Sequence, residues 1–548
     1  MTDSSFPSLQ PQPQPNLPLE PIWRASARMA VITAAGVAAS VIMASGLAGC
    51  AYSGGIAPQA SLRDAASLGL TSGSANNANI ASNAGRASTG VGTSTPEVSA
   101  DWWQDFGDAQ LNQLVADALA SSPNLKLAQA RLARAQAVSE VTGAIGQPQL
   151  NAQLDATRQR YTANGAVPPP LAGSVLNSGL AQLSASWELD FFGKNRAALD
   201  AALGTAQAAV ADAQAARTLL ASSVTRAYFG LLRLHEQLQV AQRTLAQRTE
   251  ALRLVQDRVR AGLDTRLEQL TSEGGLPEAR LQAESLQEQI ALSQNALAAL
   301  VGKPVSEPNK PLVTVFIAQS AIKNIVIAPV IPADLLGRRA DVAAARWRVE
   351  ASSQDVANAK AQFYPNINLV AFAGFSSIGL NRLLNAGSQQ WGVGPALRLP
   401  IFDAGRLRAN LRFKTADLDA AVESYNAAVI DAVRDVADQV TSQQAISRQQ
   451  TEQRAAQGAT EGAYAIALQR YNAGLGNYLQ VLTAETNVLA QRRTAVDLAG
   501  RALDTQVGLI RALGGGYAPP SVPAPALAAQ AAPGSANGFQ TQLVSATK

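Results

Sequence analysis

Two periodicities alternate along this 548-residue chain, and the switch between them occurs twice. From Leu199 to Val259, apolar residues recur at the 3-4 spacing of a coiled-coil helix. Leu203, Val210, Val224, Leu231, Leu238, Leu245, Leu252 and Val259 share one seven-residue register, broken only at Arg217. Leu199, Ala206, Ala213, Leu220, Ala227, Leu234, Ala241 and Val255 fill the complementary positions, broken at Arg248. A helix over 195–260 is about 100 Å long at roughly 1.5 Å per residue, a reach that no compact domain needs. A weaker second series runs through Leu411, Leu418, Val422, Tyr425, Val429 and Val436. It passes into a Gln-rich stretch at 439–457, which on a helix seam predicts a face that meets water.

The other pattern has period two and predicts four strands. In 180–192, Ala181, Leu183, Ala185, Trp187, Leu189 and Phe191 alternate with Gln182, Ser184, Ser186, Glu188 and Asp190. Leu150, Ala152, Leu154 and Ala156 interleave with Asn151, Gln153, Asp155 and Thr157. Ile367, Leu369, Ala371, Ala373 and Phe375 mark a third strand. In the fourth, Trp391, Val393, Leu397, Leu399 and Ile401 oppose Gln390, Gly392, Gly394 and Arg398. Long Gly/Pro-bearing loops at about 162–179 and 376–389 join them into two hairpins. Alternation alone fits a half-buried soluble sheet equally well. Strands of ten or more residues in an exported chain point instead to an outer-membrane barrel. Four strands cannot close a barrel, and hydrocarbon tolerates no open edge. Other copies must complete the wall; two copies give eight strands and three give twelve, and arithmetic does not choose.

The chain is internally doubled. GKNRAAL at 193–199 matches GRLRANL at 405–411, and RVRAGLDTRLEQLTSE at 258–273 matches RYNAGLGNYLQVLTAE at 470–485, both at an offset of 212. Two distant blocks sharing one offset imply two copies of one unit, placed at 101–301 and 333–513 with a Pro-punctuated connector at 302–332.

The N-terminus adds an address. A polar segment ending in Arg24 and Arg28 precedes an apolar run from Met29 to about Ala44, then Leu47-Ala48-Gly49-Cys50. This reads as an export signal over 1–49 with a lipoprotein cleavage site, Cys50 carrying the acyl chains. An ordinary signal with a chance cysteine is the alternative, but Cys50 is the chain's only Cys. Ala51 follows it where an Asp would suggest retention at the inner membrane. Residues 50–100, rich in Gly, Ser, Ala and Asn, predict a flexible tether, and 514–548 a disordered tail.

Composition then removes classes of chemistry. One Cys, one His and three Met leave no disulfide framework, no Cys/His metal site and no haem. A net charge of +4 without a dense basic tract gives no nucleic-acid partner. The absence of GxSxG, Walker A, HExxH and GxGxxG argues against an enzyme, and no cofactor is expected. Glu188 and Asp190 read as pore-lining charge rather than a catalytic pair. Trp102 and Trp103 read as packing residues rather than an interfacial belt, and His235 as a residue within a long helix.

Taken with Trp103-x-x-Phe106-x-Asp108, WELDFFG at 187–193, the Arg-x-x-Ala-Gly motifs at 258–262 and 470–474, and Phe363-Tyr364-Pro365, the chain resembles the TolC-like outer-membrane efflux proteins. Its likeness is to the OprM/NodT-type lipoproteins of RND efflux systems, over nearly all of 50–513. The resemblance implies an α+β membrane protein: a homotrimer whose four strands per chain close a 12-stranded outer-membrane β-barrel, continuous with a long periplasmic α-helical coiled-coil barrel. It implies a passive exit duct for drugs or other small toxic compounds, lipid-anchored in the outer membrane. A periplasmic adaptor and an inner-membrane RND transporter would be its partners.

The helical tips at Gly262 and Gly474 would form the mouth. Asp264 and Glu268, with Arg260 and Arg266, form either a gating ring or merely solvated charge at a helix turn. The second tip has Gln480 where the family frequently carries an acid, so any acidic gate rests on fewer carboxylates; separately, Ala340 stands where the family often has Pro before the second short helix. Gln182, Ser184, Glu188, Asp190 and Arg398 are expected to face the pore. Type I protein secretion or metal-ion efflux on the same fold remains open. So does a lipid-anchored coiled-coil spacer without a pore.

Overall fold

The computed structural model describes residues 55–63, 98–304, 313 and 337–518. The expected signal 1–49, Cys50, the rest of the tether, most of the connector and 519–548 of the tail lie outside the described residues. Helices α1 (Ala109–Ser121) and α2 (Pro123–Ile145) lead into strands β1 (Gln149–Arg160) and β2 (Val175–Leu189). Helices α3 (Lys194–Arg260) and α4 (Arg266–Val301) follow. The second half repeats the order: α5 (Ala340–Ala361), β3 (Asn366–Ile378), β4 (Gln389–Arg398), α6 (Arg406–Asn472) and α7 (Tyr478–Ala512). Both long helices have 67 residues, and their first and last residues differ by the offset of 212 read from the sequence. No described helix is long and apolar enough to cross a membrane.

Contacts divide the chain into two units that cut across the duplication. The first, centred on 144–198 and 355–415, holds one antiparallel sheet in the order β1-β2-β3-β4. Its register aligns the period-two pattern across all four strands: Leu150 opposes Ala185, Ala185 opposes Ala371, and Ala371 opposes Val393. A neighbouring row runs through Ala152, Leu183, Ala373 and Trp391. Because opposed residues share a face, one side of the sheet is apolar from the row of Leu189, Ile367 and Leu397 to that of Ala152, Leu183, Ala373 and Trp391, with Gln389, Ser377, Asn177 and Arg158 following toward its far end. That side is bare, with Leu154 and Trp391 each 78% exposed. β1 pairs only with β2 and β4 only with β3, so among the described residues both outer edges are unpaired. β2 and β3 approach so closely at Gly374 that a Cβ there would sit 2.2 Å from the Ala181 carbonyl oxygen.

The second unit comprises 58–143, 199–354 and 416–518. Its largest core packs Trp102, Trp103 and Phe106 with Leu111, Leu114 and Val115 of α1 and with Val224, Tyr228, Phe229 and Leu231 of α3. Leu297 and Val301 of α4 and Val507 and Ile510 of α7 complete it. The Trp103-x-x-Phe106-x-Asp108 motif is therefore structural. Asp108 caps α1 by accepting from the Gln110 and Leu111 amides, and its other oxygen takes the Tyr228 hydroxyl at 2.5 Å.

Both breaks in the α3 register also have partners. Arg217 donates to Asp101 at 2.8 Å and lies over the Trp103 ring. Arg248 donates to the Gly275 carbonyl and to Glu278, each at 2.9 Å. That carbonyl belongs to a weak point of α4. Pro277 lies inside the helix, and Gly274 and Gly275 sit just before it, where α7 has Leu489, Thr486 and Asn487 at the same offset. Proline removes a helical hydrogen bond and bends the helix, so the two returning helices are not mechanically equivalent.

Three expectations are corrected. Residues 55–63 of the supposed flexible tether are ordered against α6. Folded structure continues past the expected start of the tail, with Tyr517 buried. Within the Gln-rich run, Gln453 is buried and donates to the Gln491 carbonyl at 2.8 Å, because α7 covers that position.

Candidate functional site

The two helical hairpins of the second unit end in turns built alike. Gly262 and Gly474 take positive φ (69° and 74°), which lets the chain reverse where a Cβ would strain it. Three residues later Thr265 and Asn477 cap α4 and α7. Thr265 and Glu268 form a reciprocal capping box, and the Gln480 amide donates to Asn477 at 3.1 Å. Glu268 and Gln480 thus occupy one capping position, and the carboxylate of Glu268 serves its own helix. The Thr265 side chain first, then backbone amides, holds that carboxyl below its ordinary pKa. Within one chain Glu268 therefore acts as a capping residue of α4.

Asp264 behaves differently. Its carboxylate takes Arg258 Nε at 2.9 Å and also the Tyr471 hydroxyl, reaching from the first hairpin to the second. Arg258 stacks over the Tyr471 ring at 4.5 Å and donates to the Tyr471 carbonyl at 3.3 Å. Beneath them Val255, Tyr471, Tyr478 and Val481 form an apolar cluster, and the Tyr478 hydroxyl meets Ser272 Oγ at 3.2 Å. Burial would raise the Asp264 carboxyl, but the Arg258 and Tyr471 hydrogen bonds outweigh it and hold the group below 3.8. Burial, then the Asp264 carboxylate, pushes the Tyr471 phenol well above its ordinary value.

The partners therefore differ from those expected. Arg260 turns to Asp257, and exposed Arg266 opens α4. Sequence reasoning missed Arg258, Tyr471, Tyr478 and Ser272. A signal existed: at offset 212, Tyr471, Tyr478 and Gly476 stand where the first copy has Val259, Arg266 and Asp264. Where the repeats diverge, they meet.

Eleven residues beyond Gly474, Glu485 is buried beside Arg248, with Oε2 3.6 Å from Nε. Burial raises its pKa more than Arg248 lowers it. A carboxyl raised in the folded state stabilises fully below its unfolded value near 4.5, and that contribution is lost as pH rises through the folded value. Replacing Glu485 by Gln is expected to raise the melting temperature at neutral pH. The advantage should shrink as pH falls toward 4.5, read from paired thermal scans. A gap that does not change with pH would overturn the assignment.

In the first unit, Gln182 and Ser184 lie on the sheet's polar face. Gln182 accepts from Gln390 at 2.9 Å across Gly374. Glu188 and Arg398 share that face near its end, where Glu188 pairs with Lys194. Asp190 is corrected: β2 ends at Leu189, and Asp190 accepts from the Arg196 amide at 2.8 Å, capping α3 instead of lining the strand. Leu399 and Ile401 likewise fall outside β4.

Comparisons with known proteins give one answer. The family model described as outer membrane efflux protein matches residues 114–303 and 331–515. The multidrug resistance outer membrane protein MdtQ of Escherichia coli O6:H1 is 34% identical over 429 residues, covering 76% of this chain and 88% of that protein. The fusaric acid resistance protein FusA of Burkholderia cepacia is 36% identical over 384 residues, covering 68% and 67%. Among solved structures, the outer membrane protein VceC of Vibrio cholerae superposes with a TM-score of 0.71 at 37% identity, covering 77% of this chain and all of that one.

Proposed function

Because the chain belongs to the outer membrane efflux protein family, we propose that it is the passive exit duct of an RND-type tripartite pump for drugs or other small toxic compounds. The carrying observation is the sheet: one face mostly apolar and bare, the other mostly polar, with both edges unpaired among the described residues. Three copies, joined β4 to β1, close twelve strands with lipid outside and water within. Selection then comes from lumen width and charge and from the state of the mouth, with no covalent step by this chain. A spacer without a pore has no use for such a sheet.

The tips supply the docking end. Leu263 and Leu267, and their repeat equivalents Leu475 and Leu479, are 65–70% exposed around the two turns. An adaptor binding these leucines shifts the population of tip conformations toward the open mouth. Cys50 carries the lipid anchor. Small compounds are favoured over proteins or metal ions by the resistance phenotypes in the relatives' names.

Deleting the gene is expected to sensitise cells to several small toxic compounds, with wild type restoring resistance and Cys50→Ser restoring it only in part. The purified protein should conduct ions in planar bilayers. Unchanged susceptibility together with no conductance would refute the reading.

A further inference from the structure

One aromatic ring of the sheet breaks the parity of the others. The strands carry Trp187, Phe375 and Trp391 in the apolar rows, but Phe372 stands on the polar face, between Ser184 of β2 and Gly392 of β4. Its ring leans onto the glycine: a Cβ at Gly392 would meet Cε1 at 2.7 Å and Cζ at 2.9 Å. Covering a strand glycine with an aromatic ring stabilises a sheet, and that accounts for one side of Phe372. The rest of the side chain is uncovered, the residue being 40% exposed.

The surroundings suit one chemistry. Val370, opposite Gly394, extends the apolar surface along β3. A Cβ added to Gly394 would meet nothing within 4 Å, so this glycine leaves a shallow trough beside the ring. Polar groups rim it. Ser184 brings a hydroxyl, and the Gln390–Gln182 hydrogen bond uses one Gln390 donor and the Gln182 carbonyl. The Gln182 N–H groups and the Gln390 carbonyl are left for a ligand. On this face the row through Phe372 and the rows on either side of it hold no charged residue; charge returns at Asp155 toward one end and at Glu188 toward the other.

We propose that Phe372, with Val370 and the floor at Gly392 and Gly394, is a contact site for cargo: a small, neutral, planar aromatic compound carrying hydrogen-bonding groups. Its face stacks on the ring in the offset arrangement that aromatic pairs prefer, and its polar edge reaches Ser184 or the glutamine pair. A charged compound finds no countercharge in these rows. The site rests on the duct reading, which turns the polar face toward the lumen; three copies then set three rings at one height. Weak contacts suit a duct, because a compound must leave as readily as it enters.

Caffeine, added to the purified protein in planar bilayers, is the probe, and glucose is a neutral control of similar size without a π face. Caffeine should reduce the wild-type ionic current in a concentration-dependent way. Phe372→Leu keeps an apolar cover on Gly392 but removes the π face, so the half-blocking concentration should rise roughly two- to tenfold. Phe372→Tyr should keep the wild-type value. Gly394→Val fills the trough with Phe372 untouched and should also raise it, which keeps the site testable if Phe372→Leu does not assemble. Heat-resistant oligomer on gels checks each variant, and the effect of glucose should be the same in all. Half-blocking concentrations for caffeine equal in wild type, Phe372→Leu and Gly394→Val overturn the site. So does a change in the glucose effect as large as that for caffeine, which would make Phe372 a steric element only. A wild type that conducts but is not blocked by caffeine overturns the site alone, whereas a wild type that does not conduct overturns the duct reading and the site with it.

Discussion

Leu183→Arg is expected to abolish accumulation of the protein in the outer membrane, whereas Gln182→Arg, the same charge one residue earlier, leaves assembly nearly intact. The two side chains point to opposite faces of β2, and Leu183 lies near the strand's middle in the row with Ala152, Ala373 and Trp391. A cation on the lipid side near the bilayer midplane costs roughly 2–4 kcal/mol per copy, so on the order of 6–12 kcal/mol when three copies close one wall. That is comparable to the whole margin by which most proteins are folded, about 5–15 kcal/mol. On the polar face the same guanidinium meets water and loses only the Gln390 hydrogen bond, about 1 kcal/mol. Heat-resistant oligomer on gels and membrane fractionation provide the measurement. Equal assembly of the two variants would mean that the apolar side does not contact lipid.

Loss of the tip contacts should have the largest effect on function. Asp264→Asn removes the charge that holds Arg258, and Tyr471→Phe removes the hydroxyl joining the two hairpins. Hydrogen bonds to charged groups contribute about 1.5–3 kcal/mol each, and a stranded partner adds its desolvation. Either change is expected to raise single-channel conductance severalfold at neutral pH, and both together to approach the fully open level. Cells carrying the double variant should leak large antibiotics that the outer membrane normally excludes. The pH dependence has a defined sign. A depressed carboxyl stabilises the closed contact fully above its unfolded value and loses that contribution only as pH falls through the depressed one. With Asp264 held below 3.8, wild-type closure should persist at pH 5 and above. Unaltered conductance in the double variant would remove Asp264 from the gate.

Local pattern carried the architecture because it follows from local physics. A period of two needs only that neighbouring side chains face opposite ways, and the register confirms the apolar parity in all four strands. The heptads of α3 and the offset of 212 are likewise visible without knowing any partner. Partner choice is what escaped. Asp264 and Tyr471 lie 207 positions apart, and their union depends on how two hairpins pack, which no spacing within either hairpin encodes. Asp190 continued the strand's alternation by identity, yet the helix after it needed an acceptor for its exposed amides, and that demand won. The contact of residues 55–63 with α6 was illegible for a different reason. Its recognition runs through amides and carbonyls that every residue shares, so a Gly/Ser/Ala-rich segment looked like a linker while being bound.

The Gly-Gly-x-Pro interruption in α4, absent from α7, bears on symmetry. A ring assembled from three doubled chains has six staves, and a ring of identical staves presents six interchangeable places to whatever seats against it. In the trimer proposed above, alternate staves would carry the proline and their neighbours would not. Such a rim would be threefold, and a sixfold collar of identical subunits would have to grip it in two distinct ways.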